Sequence, residues 1–255
     1  DGGQDQLYGN AGDDIILGGS NDDTIYGGNL TEGTTGTADA DIILGDSGTV
    51  ITGGNITTDL NANDGADTIS GSEGDDIILG GDNSVGQDNI SGNSGDDTIL
   101  GDYGTVSRTG GVITSVATDL ETLGGSDLIS GDADNDVIFG GAAGDTITGD
   151  GGADIVFGDG GQVNTGTVDH NVFSSDPTLG TGGNDTISGG LGDDILFGGE
   201  ANDTVTGDAD NDIVLGDSGQ VTRDTLDAVQ QVGSTYADDG GQDQLYGNAG
   251  DDIIL

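Results

Sequence analysis

An aspartate with a large aliphatic residue two places after it, and glycine shortly before, returns every nine residues along most of this chain. It reads GNAGDDIIL at 9–17, GSEGDDIIL at 71–79, GDADNDVIF at 131–139 and GGLGDDILF at 189–197. In the frame G-x-x-x-x-D-x-U-x the sixth position is Asp5, Asp14, Asp23, Asp41, Asp67, Asp76, Asp88, Asp97, Asp127, Asp136, Asp145, Asp154, Asp185, Asp194, Asp203, Asp212, Asp243 and Asp252. The eighth position is always Ile, Val or Leu. A carboxylate array with no cysteine and one histidine offers oxygen ligands alone, which suits a hard cation. Calcium accepts about six to eight oxygens in loose geometry, whereas magnesium demands an octahedron and keeps its waters, so calcium is the better match.

Something must hold those carboxylates in line. A turn followed by a three-residue strand cannot form a domain, but stacked copies bury a continuous core. Early glycines permit positive φ and close backbone approach, and the x-U-x tail is a strand with U pointing inward. Two nine-residue units complete an 18-residue coil, which sets each aspartate over the one 18 residues on, as in Asp127/Asp145, Asp136/Asp154, Asp185/Asp203 and Asp194/Asp212. Such a stack is untenable unless a cation sits within it.

Composition alone points elsewhere. The 255 residues carry 49 acidic side chains against two arginines, a formal net charge of −47, with 55 glycines and 31% apolar residues. Those averages describe a disordered polyanion, and the repeat overrides them. The charge excludes nucleic acid, whose phosphates need a basic patch. No apolar run approaches the roughly 18 residues of a membrane span, so membrane insertion is not expected. No signal peptide opens the chain, and residues 1–17 recur identically at 239–255. Both ends thus fall inside a repeat, and the chain is expected to be a window on a longer tandem array.

A longer period is superimposed. After every fourth nonapeptide comes GDSGTV (45–50), GDYGTV (101–106), GDGGQV (158–163) or GDSGQV (216–221). The expected division is repeat blocks at 1–45, 63–101, 123–158 and 181–216, inserts at 46–62, 102–122, 159–180 and 217–238, and the start of another period at 239–255. Nine extra residues between Asp23 and Asp41, and three before Asp88, read as loops bulging from a coil.

The units alternate in character. In the second and fourth of each block the outward residues tend to be apolar, as in Ile15/Leu17, Ile42/Leu44, Ile77/Leu79, Ile155/Phe157 and Ile213/Leu215. In the first and third they are mostly polar, as in Thr68/Ser70, Asn89/Ser91, Thr146/Thr148 and Thr204/Thr206. One sheet is therefore wettable outside and the other apolar on both faces, which calls for a cover. At about 1.5–3 kcal/mol per large side chain, that stripe is too costly to expose. Two covers are open: the inserts, of which Val106 to Ile113 reads as a hairpin around Gly110-Gly111, or a neighbouring chain, which would make the stripe a self-association interface.

GGxGxDxUx is the nonapeptide of repeats-in-toxin (RTX) proteins, and the chain resembles that family over nearly its whole length. The resemblance implies an all-β, right-handed parallel β-roll or solenoid with calcium ions held between successive turns by the eighteen sixth-position aspartates. It also implies a secreted bacterial protein, exported unfolded through a type I apparatus and folding in extracellular calcium. Glycine is replaced at Asn10, Ser72, Asp132 and Asp208, and Glu32 stands where residues 27–35 would carry aspartate, which implies a weaker or missing site there.

The expected function is a calcium-dependent structural solenoid, either an extracellular filament or the extender region of a giant adhesin, with no catalysis. The alternatives are a solenoid that binds ice or polysaccharide, or an accessory module of a secreted enzyme. Asp132–Asp136 and Asp208–Asp212 resemble the start of an EF-hand loop, but Ala143 and Gly219 stand where its closing glutamate belongs. His170 has no nucleophile partner pattern, and Arg108 and Arg223 follow the GDxGxV phrase with either a solvated or an ion-paired role.

Overall fold

The computed structural model describes residues 2–28, 39–59, 65–81, 86–118, 124–165, 182–224, 228–235 and 240–255, and the backbone of 170–174. Glu32 and most of the two loops expected to bulge from the coils lie outside the described residues. No helix occurs among those described.

Each x-U-x tail is a strand, and successive strands alternate between two nine-stranded parallel sheets. The first sheet runs from Gln6–Tyr8 through Thr68–Glu73, Leu128–Ala133, Thr146–Gly151 and Thr204–Ala209 to Gln244–Ala249. The second runs from Ile15–Leu17 through Ile77–Leu79, Val137–Phe139 and Ile155–Phe157 to Ile253–Ile254. The repeat fixes the register without slippage: Thr146 faces Thr186, and Ile138 faces Val156. A slip of one residue would turn every aliphatic outward, so the eighth position locks the stack. Ile25, Ile43, Ile78, Ile99, Ile138 and Ile147 are fully buried in the core between the sheets. This is an all-β parallel β-roll.

The inserts make a third layer. Each is an antiparallel hairpin: Gly48–Val50 with Ile56–Thr58, Gly104–Thr109 with Val112–Thr118, Gly161–Asn164 with His170–Ser174, and Gly219–Arg223 with Val229–Ser234. The hairpins also pair with each other, giving one eight-stranded sheet. Hydroxyls stitch the joins, since the Gly104 N–H donates to Thr58 Oγ1 at 3.2 Å and the Gly161 N–H to Thr118 Oγ1 at 2.9 Å.

This insert sheet covers the apolar face of the second sheet. Ile56, Val106, Val116, Val163 and Val221 pack onto Leu44, Leu79, Leu100, Phe139, Phe157, Phe197 and Leu215. Leu44 is 0% exposed, whereas Leu17, the equivalent residue outside this packed cluster, is 42% exposed. Of the two covers open from the sequence, the chain supplies its own. The second glycine of GDxGxV allows the close approach: a Cβ on Gly104 would lie 2.1 Å from Leu100 Cδ2. Phe139, Phe157 and Phe197 stack in this layer at 4.6 and 4.8 Å between ring centres, which is the spacing of the strands that carry them.

Phe157→Ala should therefore lower the stability of the calcium-saturated chain by about 3–5 kcal/mol in denaturant unfolding followed by circular dichroism. Tyr246→Ala, at a position 46% exposed on the first sheet, should cost less than about 1 kcal/mol.

Candidate metal centre

The turns between the sheets stack into two walls. Asp14, Asp41, Asp76, Asp97, Asp136, Asp154, Asp194, Asp212 and Asp252 lead into the second sheet. Asp5, Asp23, Asp67, Asp88, Asp127, Asp145, Asp185, Asp203 and Asp243 lead into the first. All eighteen sixth-position aspartates thus fall into two files. Down the first file the main-chain N–H of each aspartate donates to Oδ1 of the aspartate one coil further on, at 2.7–3.1 Å. The second file repeats the bond at 2.7–3.0 Å. The four pairs expected from an 18-residue coil are all joined in this way.

The other carboxylate oxygen is the chemically open one. Oδ2 of Asp76, Asp97, Asp136, Asp154, Asp194 and Asp212 in one wall, and of Asp23, Asp88, Asp145, Asp185 and Asp203 in the other, is buried without a hydrogen-bond partner. A glycine at the first position keeps the space beside it free. A Cβ on Gly71 would lie 2.3 Å from Asp76 Oδ2 and 2.7 Å from the Gly92 carbonyl oxygen. On Gly140 it would lie 2.4 Å from Asp145 Oδ2 and 2.2 Å from the Gly158 carbonyl oxygen. Among the described residues no three His, Cys, Asp or Glu side chains converge into one cluster. The donor set is therefore one buried carboxylate oxygen per turn with main-chain carbonyls around it. Those are hard oxygen donors, and the residues present fit calcium.

Replacement of the early glycines does not disturb the turns. Asn10, Ser72, Asp132 and Asp208 hold φ of 78°, 94°, 74° and 77°, the left-handed region that Asn and Asp tolerate best after glycine. Asp132 and Asp208 accept hydrogen bonds from Ser91 and Ser188 of the preceding coil, so the two DADND stretches are ordinary turns of the roll.

Electrostatics shows what the walls lack. Burial is the largest cause of raised proton affinity throughout, opposed by the main-chain N–H and reinforced by neighbouring carboxylates. It pushes Asp76 up to about 7, Asp97, Asp136, Asp194 and Asp203 up to about 8, and Asp145 up to about 10. No lysine exists to relieve this, and both arginines lie in the insert sheet.

Two further sets of residues complete the walls. Three of the four GDxGxV aspartates, Asp46, Asp102 and Asp159, are buried where their inserts leave the roll. Asp102 Oδ1 accepts from the Gly125 N–H at 3.1 Å and its Oδ2 from the Ala142 N–H at 2.6 Å. Asp159 accepts from the Gly183 N–H at 3.1 Å and from the Glu200 N–H, and Asp46 from the Gly65 N–H at 3.2 Å. Each carboxylate thus clamps the point where the chain re-enters the roll. The phrase stood out in the sequence, but its buried aspartate gave no separate signal, because the pairing depends on where the insert ends. Fifth-position residues form an outer ladder: the Asp96 N–H donates to Asp75 Oδ1, the Asn135 N–H to Asp96 Oδ1 and the Asn211 N–H to Asp193 Oδ1.

Two outcomes follow. In the absence of metal, groups whose proton affinity rises on folding stabilise the roll fully below their unfolded value near 3.8, and that contribution is lost as pH climbs through about 8. A dilute chain in chelator should therefore show β-type circular dichroism near pH 4 and lose it by pH 8, while with calcium present acid should weaken binding instead. Asp102→Ala, which removes two buried acceptors, should cost the calcium-loaded chain about 1–3 kcal/mol by denaturant titration.

Comparison with known proteins agrees with this geometry. No curated protein matches the chain. A family model described as the RTX calcium-binding nonapeptide repeat, in a unit of four copies, matches residues 1–29, 52–84, 83–105, 119–147, 130–162, 179–214 and 235–255. Those segments take in every ladder aspartate except Asp41 and most of the roll's strands. The chain therefore belongs to the RTX family of calcium-binding nonapeptide repeat proteins.

Proposed function

We propose that this chain is a calcium-stiffened structural rod that works outside a bacterial cell, as the extender region of a giant adhesin or the shaft of an extracellular filament. The observation that supports it is the pair of carboxylate ladders, buried along most of their length, in which Oδ2 of residues such as Asp76, Asp97, Asp136, Asp145, Asp194 and Asp203 has no hydrogen-bond partner and no basic side chain beside it. In this reading the eighteen ladder aspartates are the ligands, through Oδ2, and glycine carbonyls of the adjacent coil complete the set. Bound calcium supplies the positive charge that the walls lack. The chain's own contribution is to bring the donors together only when the coils are stacked, so binding and folding are linked. With calcium scarce, a net charge of −47 keeps the chain expanded, a state suited to export through a type I apparatus. The array is periodic and carries no catalytic pair, so the role assigned is structural and non-enzymatic.

A second reading has one observation in its favour. On the outer face of the first sheet the register lines up Thr24 with Thr68 and Thr146 with Thr186 and Thr204, a file of hydroxyls suited to ice or polysaccharide. Asn89 and Leu128 interrupt that file, which weakens it.

Far-UV circular dichroism at neutral pH should be coil-like in chelator and turn to β on adding millimolar calcium; a folded spectrum in excess chelator sinks the mechanism. Asp136→Asn should bind about one or two fewer calcium ions per chain by equilibrium dialysis, while Asp13→Asn, at an exposed fifth position, should leave the count unchanged.

A further inference from the structure

The insert sheet differs in charge from the rest of the molecule. The chain has 49 acidic residues, yet none falls within the eight strands of this sheet, which hold both arginines, Arg108 and Arg223. By contrast, the strands of the first sheet include Glu73, Asp132, Asp150 and Asp208, and exposed Asp75, Asp96 and Asp193 line one of the walls. The inward side of the insert sheet is consumed by the second sheet. Its outward side alternates with the buried valines and carries Thr105, Ala117 and Gln162 in one file and Ser115 beside Asn164 in the next.

We propose that this outward face is where two copies of the chain pair side by side. The proposal rests on the calcium-dependent roll described above and adds a contact to it. Calcium offsets the charge of the walls, but exposed carboxylates such as Asp75, Asp96 and Asp193 remain, so two copies approach most closely where neither presents a carboxylate. Among the described surfaces the outward face of the insert sheet is the extended one that meets this condition. Its amides and hydroxyls each donate and accept, so the face is complementary to a second copy of itself across a two-fold axis. A partner rich in phosphate would need more cations than Arg108 and Arg223, and Arg108 already donates from Nε to the Gly54 carbonyl at 2.9 Å, which ties the second hairpin to the first. The area is also suitable. Eight strands spaced by about 4.8 Å, each about five residues long, make a face of roughly 650 Å². A stable interface takes about 800 Å² from each partner, so one period pairs weakly and consecutive periods would add.

Sedimentation velocity in millimolar calcium over a concentration series tests this. The chain should show a reversible monomer–dimer equilibrium that strengthens as salt rises from about 0.05 to 0.5 M, because screening relieves repulsion between the two acidic bodies. The triple change Thr105→Glu, Gln162→Glu and Gln220→Glu should raise the dissociation constant by at least about tenfold. The same number of charges on the first sheet, Thr146→Glu, Thr186→Glu and Thr204→Glu, should change it less than about threefold. Circular dichroism of each variant in calcium reports folding separately; if the triple variant loses structure, Gln162→Glu alone, at an exposed position, carries the test. A chain that folds with calcium but stays monomeric at every salt overturns the pairing and leaves the calcium reading intact. A dimer disrupted equally by both sets of charges also overturns it.

Discussion

Each coil of the roll is tied to the next, in each wall, by a hydrogen bond from an aspartate's main-chain N–H to the carboxylate one coil further on, and that bond uses half of the carboxylate. Along much of both walls the other oxygen, as in Asp76, Asp136, Asp145 and Asp203, is buried with no hydrogen-bond partner. An ionised carboxylate out of water costs several kcal/mol unless it is paired. The walls admit three resolutions: a proton on the oxygen, a cation beside it, or separation of the coils. At neutral pH in calcium the second is available, and stability then depends on an ion outside the sequence as much as on the aliphatic core. The family assignment and the raised proton affinities are two views of this one constraint.

The insert sheet answers a different problem. A second sheet that is apolar on both faces gains twice from burial but needs a lid, and the inserts supply one strand pair per block. Gly48, Gly104 and Gly219 permit the contact, and Asp46, Asp102 and Asp159 fix where each insert returns to the roll. In the first two phrases, at 45–50 and 101–106, the carboxylate clamp and the packing of the lid therefore meet within three residues.

Much of this was legible in the sequence, since a nine-residue period leaves little freedom. The aliphatic at position eight, the aspartate at position six and the alternation of outward residues led to two sheets, two ladders and an uncovered face. What the sequence withheld depends on contacts between segments far apart. Nothing local in Ile56 or Val106 says that the first hairpin will pair with the second, and that pairing turns four lids into one sheet. Asp102 looks like any other aspartate after a glycine until Gly125 and Ala142 close on it. The left-handed turns at Asp132 and Asp208 were likewise hidden, because a carboxylate in a glycine position reads first as a defect.

The bonds between sixth-position aspartates all point the same way, opposite to those of the outer ladder. In every sixth-position pair described, the N–H belongs to the earlier coil and the accepting oxygen to the later one. A stack of coils is consequently a vector. At the sixth position its leading face, toward the N-terminus, offers carboxylate oxygens to whatever arrives and its trailing face offers N–H groups, and at the fifth position the two are exchanged. A coil joining from one side brings the acceptor, and a coil joining from the other brings the donor. Extension of such a rod is chemically different at its two ends, much as a filament has a fast and a slow end, and the asymmetry is written into one hydrogen bond.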